Sequence, residues 1–382
     1  MNLYSPYNDM IENTERKDSG EMNVVQIMLH KVTLGMTIAE DVYRESQLLI
    51  PKGTVVDNEV LNILRYSSIV SVAVYGKDTS QKKTPSVSVP EKTHSEQIRE
   101  SKSFKEFEEN FHETTETFSY TLNDIASRNK DVDIDILFDS ANEIMAGGTN
   151  TYQLMDILSN IRYFDDSTYA HSLNVAMLAN ILGRWLHMEE HDLKLLTVAG
   201  MLHDIGKVLI PPEIIKKPGP LTKEEFEIVK QHSLKGYKLL KGKNVDENIC
   251  QAALLHHEKC DGSGYPLGLK GDRINELAKL ITIVDIYEAM TANRCYREGI
   301  CPFAVIRMYE EEGYSKYDPK YLLPFLQGIS DTYLHNTVLL NDGRKGEIIL
   351  TNKTAISRPG LLVNGEYLDL TRYPELNIIA IL

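Results

Sequence analysis

The chain has 382 residues, room for two or three domains, and 42% of them are apolar, enough to build a core. Acidic residues outnumber basic ones by 55 to 41, a formal charge of -14. That balance excludes a bulk DNA or RNA binder, which needs a basic face, but not a protein that holds a small anion in a local basic pocket.

Residues 1–21 are polar and read as a flexible tail. From 22 to 76, short apolar groups alternate with turn residues. Val24 to Leu29 and Met36 to Ala39 read as strands, Leu48 to Val56 as strand, turn and strand, Glu59 to Tyr66 as a short helix, and Ile69 to Val74 as a last strand. The expectation is a small α+β N-terminal domain without a catalytic group. Residues 77–148 read as a linker and connecting helices. Lys, Ser, Thr, Pro and Gln dominate up to about residue 100, and then Phe104, Phe107, Phe111 and Phe118 recur at helical spacing. A helix with such a stripe must bury it, on the chain's own domain or on a second subunit, and a homodimer contact is expected. Val132 to Met145 reads as a further helix ended by Gly147-Gly148.

Residues 149–335 are expected to be mainly helical, and they give the molecule its class: mainly α, with small β-containing ends. Leu173 to Leu186 and Leu193 to Leu202 are strong helix patterns. Pro211-Pro212 breaks the second, and Thr222 with Glu225 forms a capping box that opens another helix. Val245 to Leu255 and Glu276 to Met290 complete the set, separated by a glycine-rich loop from Asp261 to Asp272. Residues 336–382 form a β appendage whose hairpin, Thr337 to Leu350, turns at Asp342-Gly343. The four cysteines, Cys250, Cys260, Cys295 and Cys301, include no close C-x-x-C pair, so a zinc knuckle is excluded. No apolar run reaches membrane-spanning length and the start lacks a signal-peptide pattern, so a cytoplasmic protein without membrane insertion is expected.

Within the helical region stand seven metal-capable side chains, most of them set into apolar sequence: His171, His203, Asp204, His232, His256, His257 and Asp285. His203 and Asp204 are adjacent at the inner end of a buried helix, and a buried carboxylate needs a charged partner or a metal. Five imidazoles with two carboxylates suit Mn, Fe or Zn rather than Ca or Mg, which prefer oxygen shells. Gly206 lets the backbone turn or approach something closely, and Lys207 adds a nearby positive charge. His187 and His191, among Glu189, Glu190 and Asp192, read as surface residues.

The ordered set Tyr169-Ala-His171, His203-Asp204-Ile-Gly-Lys207, His232, His256-His257-Glu258, Asp261-Gly-Ser-Gly264-Tyr265-Pro266, Val284-Asp285 and Arg294-Cys-Tyr-Arg297 resembles the HD-GYP family. That family is a branch of the HD-type metal-dependent phosphohydrolases. The resemblance covers about half the chain. It implies a bacterial signalling phosphodiesterase that hydrolyses cyclic di-GMP to linear pGpG or on to GMP, using a metal-bridging hydroxide. It further implies that His171, His203, Asp204 and Asp285 hold one Fe or Mn ion, that Asp204, His232, His256 and His257 hold a second, and that Asp204 bridges them. Lys207 resembles the lysine that meets the scissile phosphate and shares the catalytic role with Asp204. Arg294 and Arg297 resemble groups that hold substrate phosphates, and Tyr265 belongs to the loop that names the family. Glu258 has two readings, an orienter of His257 or another ligand, or a solvated loop residue. Ser167 stands where members with a third metal carry Glu, which leaves a third metal without its usual ligand, and Cys295 stands in place of the usual Pro. The competing readings are a phosphodiesterase for mixed cyclic GMP-AMP, another HD-type nucleotide phosphohydrolase, and a non-catalytic nucleotide sensor.

Overall fold

The computed structural model describes residues 24–28, 32–44, 47–57, 60, 64 and 71–75, and then 94–382 apart from 129, 148–150, 162–167, 218, 220 and 293–298. The chain divides into two compact units, Met1–Ser88 and Val89–Leu382.

In the first unit, strands β1 (Val24–Met28), β2 (Thr37–Ile38) and β5 (Ser71–Tyr75) form an antiparallel sheet in the order β1-β5-β2, and β3 (Val42–Arg44) pairs with β4 (Gln47–Ile50) as a hairpin. Strands that bury one face alternate their apolar side chains, and here Ile38, Val42, Ile50, Val56, Val72 and Val74 meet in a small core with Leu64. Val55 bridges to Thr37, so the expected strand after Gly53 is a single-residue pairing. Of the helix expected over 59–66, only positions 60 and 64 are among the described residues.

The second unit is helical with a terminal sheet, as expected. Helix α1 (His94–Glu100) begins where a linker was expected to continue. The long α2 (Lys102–Ser127) is capped by Ser101, whose hydroxyl accepts from the Phe104 N–H. Then follow α3 (Ile134–Met145), α4 (Thr151–Ile161), α5 (Thr168–Trp185) and α6 (Glu190–Leu202), a 3-10 turn (Ile205–Leu209), and α7 (Pro212–Ile215). Helices α8 (Lys223–Lys241), α9 (Glu247–Leu255) and α10 (Glu276–Thr291) come next, then α11 (Pro302–Met308), a π turn (Tyr309–Gly313), α12 (Tyr314–Lys316) and α13 (Pro319–Thr332). Strands β6 (Thr337–Leu340), β7 (Lys345–Leu350), β8 (Gly360–Val363), β9 (Glu366–Asp369) and β10 (Ile378–Ile381) close the unit as an antiparallel sheet in the order β10-β6-β7-β8-β9.

Helices α5, α6 and α10 are apolar on nearly every face, and such helices lie in the middle of a bundle rather than on its surface. The core that surrounds them is continuous, from Phe104 on α2 through Val338, Leu361 and Ile378 in the sheet. This corrects one expectation. Phe104, Phe107, Phe111 and Phe118 are 0–3% exposed and buried in the chain's own core, with the rings of Phe107 and Phe111 stacked 6.1 Å apart. The apolar face on which a homodimer contact was expected is used up inside the molecule.

Candidate metal centre

The site lies where the C-terminal ends of two helices meet the sides of three others. His203 is the C-cap of α6 and Asp204 follows it before the 3-10 turn. His256 is the C-cap of α9, and His257 comes next. His171, His232 and Asp285 project from α5, α8 and α10. The close approach depends on Gly206. A Cβ there would lie 1.8 Å from the His232 carbonyl oxygen and 2.6 Å from the Gly236 nitrogen. The absence of a side chain lets the 3-10 turn lie directly on the α8 backbone, which brings Asp204 to His232.

All seven expected side chains come together, in two groups: His171, His203 and Asp285, and Asp204, His232, His256 and His257. Asp204 joins them. Its Oδ2 lies 3.4 Å from His203 Nε2 and 3.7 Å from His171 Nε2, and its Oδ1 lies 3.3 Å from His232 Nε2 and 3.7 Å from His256 Nε2. Asp285 Oδ1 is 3.0 Å from His171 Nε2. The Lys207 ammonium hydrogen-bonds Asp204 Oδ2 from the next turn of chain.

The backbone decides which nitrogen of each ring faces inward. His203 Nδ1 lies 2.7 Å from the Gly200 carbonyl, His232 Nδ1 2.6 Å from that of Val229, and His256 Nδ1 3.0 Å from that of Ala253. A carbonyl oxygen only accepts, so each Nδ1 carries the hydrogen and each neutral ring turns a bare Nε2 lone pair into the site. His232 Nε2 therefore faces the Nε2 of His256 at 3.2 Å with lone pairs opposed, and the Nε2 of His257 lies equally close at 3.2 Å. His203 Nε2 and Asp204 Oδ1 are buried without a hydrogen-bond partner among the described residues. Converging donors that cannot satisfy one another are what a divalent cation resolves, and the nitrogen–oxygen donor set fits a transition metal.

Charge follows the same division. Burial pushes His256 well below its ordinary value and His257 down to about 3, and it lowers His232 as well, so these rings stay neutral and ready to ligate. Burial also pulls on His171, but Glu288 and Asp285 outweigh it and raise the imidazole to about 9. Burial opposes the charge on both Asp204 and Asp285. Lys207 nevertheless holds Asp204 well below the usual carboxylate range, and His171 does the same for Asp285.

Glu288 is the functional residue that the sequence reading missed. It is 2% exposed, its Oε2 lies 2.5 Å from His171 Nδ1, and its Oε1 accepts from Asn174 Nδ2 at 3.3 Å. It fixes which nitrogen of His171 faces the site, as the backbone carbonyls do for His203, His232 and His256. The available signal was its place three residues after Asp285 on a helix that had to be buried, which puts both carboxylates on one face. Helix α10 is itself held from behind by the Tyr309 hydroxyl of the π turn, which donates to the Ile283 carbonyl at 2.7 Å.

Glu258 is not a solvated loop residue. It is 2% exposed, and its two oxygens accept the N–H groups of Leu267 at 2.6 Å and Leu269 at 2.9 Å. The carboxylate pins the glycine-rich loop. Gly264 lies flat on the chain just after the histidine pair, where a Cβ would come 2.4 Å from Glu258 Cα and 2.5 Å from the His257 carbonyl oxygen. The pinned loop delivers Tyr265, preceding a cis-proline, to the site. Its ring stacks on His257 with centroids 4.6 Å apart, and burial pushes its phenol up. Arg294, Arg297, Cys295 and Ser167 lie outside the described residues. His187 and His191 are exposed, away from the centre, as expected.

With this geometry in hand, residues 152–321 match the family model of the HD domain. A cyclic di-GMP phosphodiesterase of Pseudomonas aeruginosa is 33% identical over 227 residues, covering 59% of this chain and 54% of its own. A 3'3'-cGAMP-specific phosphodiesterase of Vibrio cholerae is 34% identical over 153 residues, 40% of this chain and 33% of its own. A solved HDG"Y"P protein from Bdellovibrio bacteriovorus is 17% identical and covers 79% of this chain and 98% of its own, with a TM-score of 0.42. The matched stretch contains the helical bundle and both of its histidine–aspartate groups. The match covers residues 152–321 of the 382, and over that stretch the chain is similar to the HD domain. It spans about half the length of the curated relatives it matches.

Proposed function

We propose that the chain is a metal-dependent phosphodiesterase that hydrolyses cyclic di-GMP in the cytoplasm, with two Fe or Mn ions and linear pGpG as the product that accumulates. The observation that carries this reading is the pair of ligand groups joined by one carboxylate, each oxygen of Asp204 facing a different group. In it, His171, His203, Asp204 and Asp285 hold one ion, and Asp204, His232, His256 and His257 hold the other. The ions when bound supply positive charge and acidify water, the two things an anionic diester needs for hydrolysis. The chain's own residues then do the rest. Asp204 fixes the spacing of the two groups. Lys207, whose ammonium rests on Asp204, is placed to exchange that carboxylate for a phosphate oxygen and to stabilise charge as water adds to phosphorus and the bond to the 3'-oxygen breaks. Tyr265 borders the reacting phosphate, and Arg294 and Arg297 hold phosphate oxygens with their planar donor forks.

The test is chromatography of products after protein loaded anaerobically with Fe(II) or Mn(II) is incubated with cyclic di-GMP, mixed cyclic GMP-AMP and linear dinucleotides side by side. Cleavage of cyclic di-GMP to pGpG is expected, abolished by Asp204→Ala together with loss of bound metal. Preference for the mixed ring would move the assignment to the second reading. That reading is favoured by a relative named for 3'3'-cGAMP at 34% identity, so close to the 33% of the cyclic di-GMP relative that similarity does not choose between them. Activity on mononucleotides alone would transfer it to another HD-type hydrolase, and absence of metal uptake would leave a sensor.

A further inference from the structure

Helix α8 carries an aromatic ring and a lysine that none of the roles above uses. Phe226 and Lys230 stand four residues apart and so share one face of the helix. The Lys230 ammonium lies 4.9 Å from the centre of the Phe226 ring and 5.6 Å from that of Tyr265. Tyr265 in turn stacks on His257. A cation steadied by two rings thus stands beside the metal-ligand cluster. It is open to solvent: Phe226 is 36% exposed and the Lys230 side chain 29%. The carboxylate that pairs with Lys230 belongs to Glu227, 2.6 Å away and 67% exposed. An ion pair between exposed side chains contributes little, so an incoming anion displaces it at small cost.

A cyclic dinucleotide has two phosphodiesters and two bases, and only one diester is cut at a time. With one phosphate at the metal centre, the second phosphate and its base need a cation and an apolar flat surface close by. We propose that Phe226 and Lys230, with Tyr265 between them and the histidines, form the subsite for the uncut half of the ring. Lys230 pairs with the second phosphate, and Phe226 offers its face to a base, a contact available to any purine because every base has a π face. This rests on the proposed phosphodiesterase function and assigns the part of the substrate that the metal centre does not hold.

The test compares Lys230→Met, which keeps the aliphatic stem, with Lys230→Arg and Phe226→Ala in the full metal-loaded chain. Cyclic di-GMP and the mixed ring are assayed beside bis(4-nitrophenyl) phosphate, a diester with no second phosphate. Lys230→Met is expected to raise KM for the cyclic substrates roughly tenfold, as for loss of one charge-assisted contact, with a much smaller change in kcat. The ratio of kcat/KM for cyclic dinucleotide over the small diester falls with it, and Lys230→Arg restores most of that ratio. Phe226→Ala lowers the ratio in the same direction. Wild-type cleavage of a cyclic dinucleotide with an unaltered ratio in Lys230→Met overturns the subsite alone. A fall in parallel on both substrates, with metal lost, overturns it in favour of a structural role. Wild-type cleavage of the small diester but of no cyclic dinucleotide overturns the proposed function and the subsite together.

Discussion

Glu288 acts on chemistry through a single hydrogen bond. Its carboxylate sets which nitrogen of His171 faces Asp204 and Asp285, and removing the charge while keeping the shape isolates that effect. Glu288→Gln is expected to weaken metal uptake by the His171 group about tenfold while the His232 group keeps its affinity, since outer partners of ligating histidines typically contribute 10–100-fold. Competition titration against a chelator measures both, and equal weakening of the two groups would refute the assignment. The same pair of carboxylates gives the two groups different pH responses. His171, raised to about 9, must lose a proton to ligate, so uptake at its group strengthens as pH rises and levels off above about 9. His257, lowered to about 3, is already neutral at pH 7, so protonation of that ring does not weaken uptake at its group until far below neutrality. Calorimetry in buffers of different ionisation enthalpy should detect close to one proton released for the first group and almost none for the second.

At the level of elements, the crossing of the 3-10 turn over α8 is the most exacting contact. Gly206→Ala would place a methyl 1.8 Å from the His232 carbonyl oxygen, and backbone on both sides has no side chain to swing aside. The expected result is a loss of about 3 kcal/mol or more in denaturant unfolding, together with metal lost from the group containing His232. Wild-type stability would mean the two elements can separate without consequence. Helix α2 gives a different kind of test. Phe107 is fully buried against the bundle, and Phe107→Ala is expected to destabilise by about 3–5 kcal/mol. Because the ring is spent internally, sedimentation of the folded variant should be unchanged. A shift in its association state would return the stripe to an interface.

Across the whole molecule, what could be read from sequence was what apolar context makes conspicuous. Histidines and aspartates set into runs such as Leu280–Tyr287 have nowhere to go but inward, whereas His232, between Gln231 and Ser233, is legible only through its place in the family pattern. The capping box at Thr222 and the hairpin turning at Gly343 were legible because each is a local pattern with one geometric meaning. Glu288 was not, because an acidic residue near the end of a helix ordinarily faces water, and its burial follows only from how α10 packs against α5. Glu258 looked like a loop residue because the loop it holds returns only nine and eleven residues later. The destination of the Phe stripe was open because periodicity says that a face is buried and not against what. Phe226 and Lys230 carried no signal, since their place beside the site depends on where that loop delivers Tyr265.

Asp204 spans the two groups with one oxygen apiece, and it already has a tenant on one side. Lys207 holds Oδ2, the oxygen that faces His171 and His203, while Oδ1 faces two neutral imidazoles, those of His232 and His256. An arriving dication therefore finds an unobstructed berth on the His232 side. On the His171 side it must evict an ammonium and a proton. Filling should be sequential, and when metal is scarce the protein should accumulate as a half-filled form. Titrated with Mn(II), it would give an isolated-ion EPR spectrum up to one equivalent and an exchange-coupled one only beyond that. Metal supply would then set the fraction of molecules able to act, independently of how much protein is present.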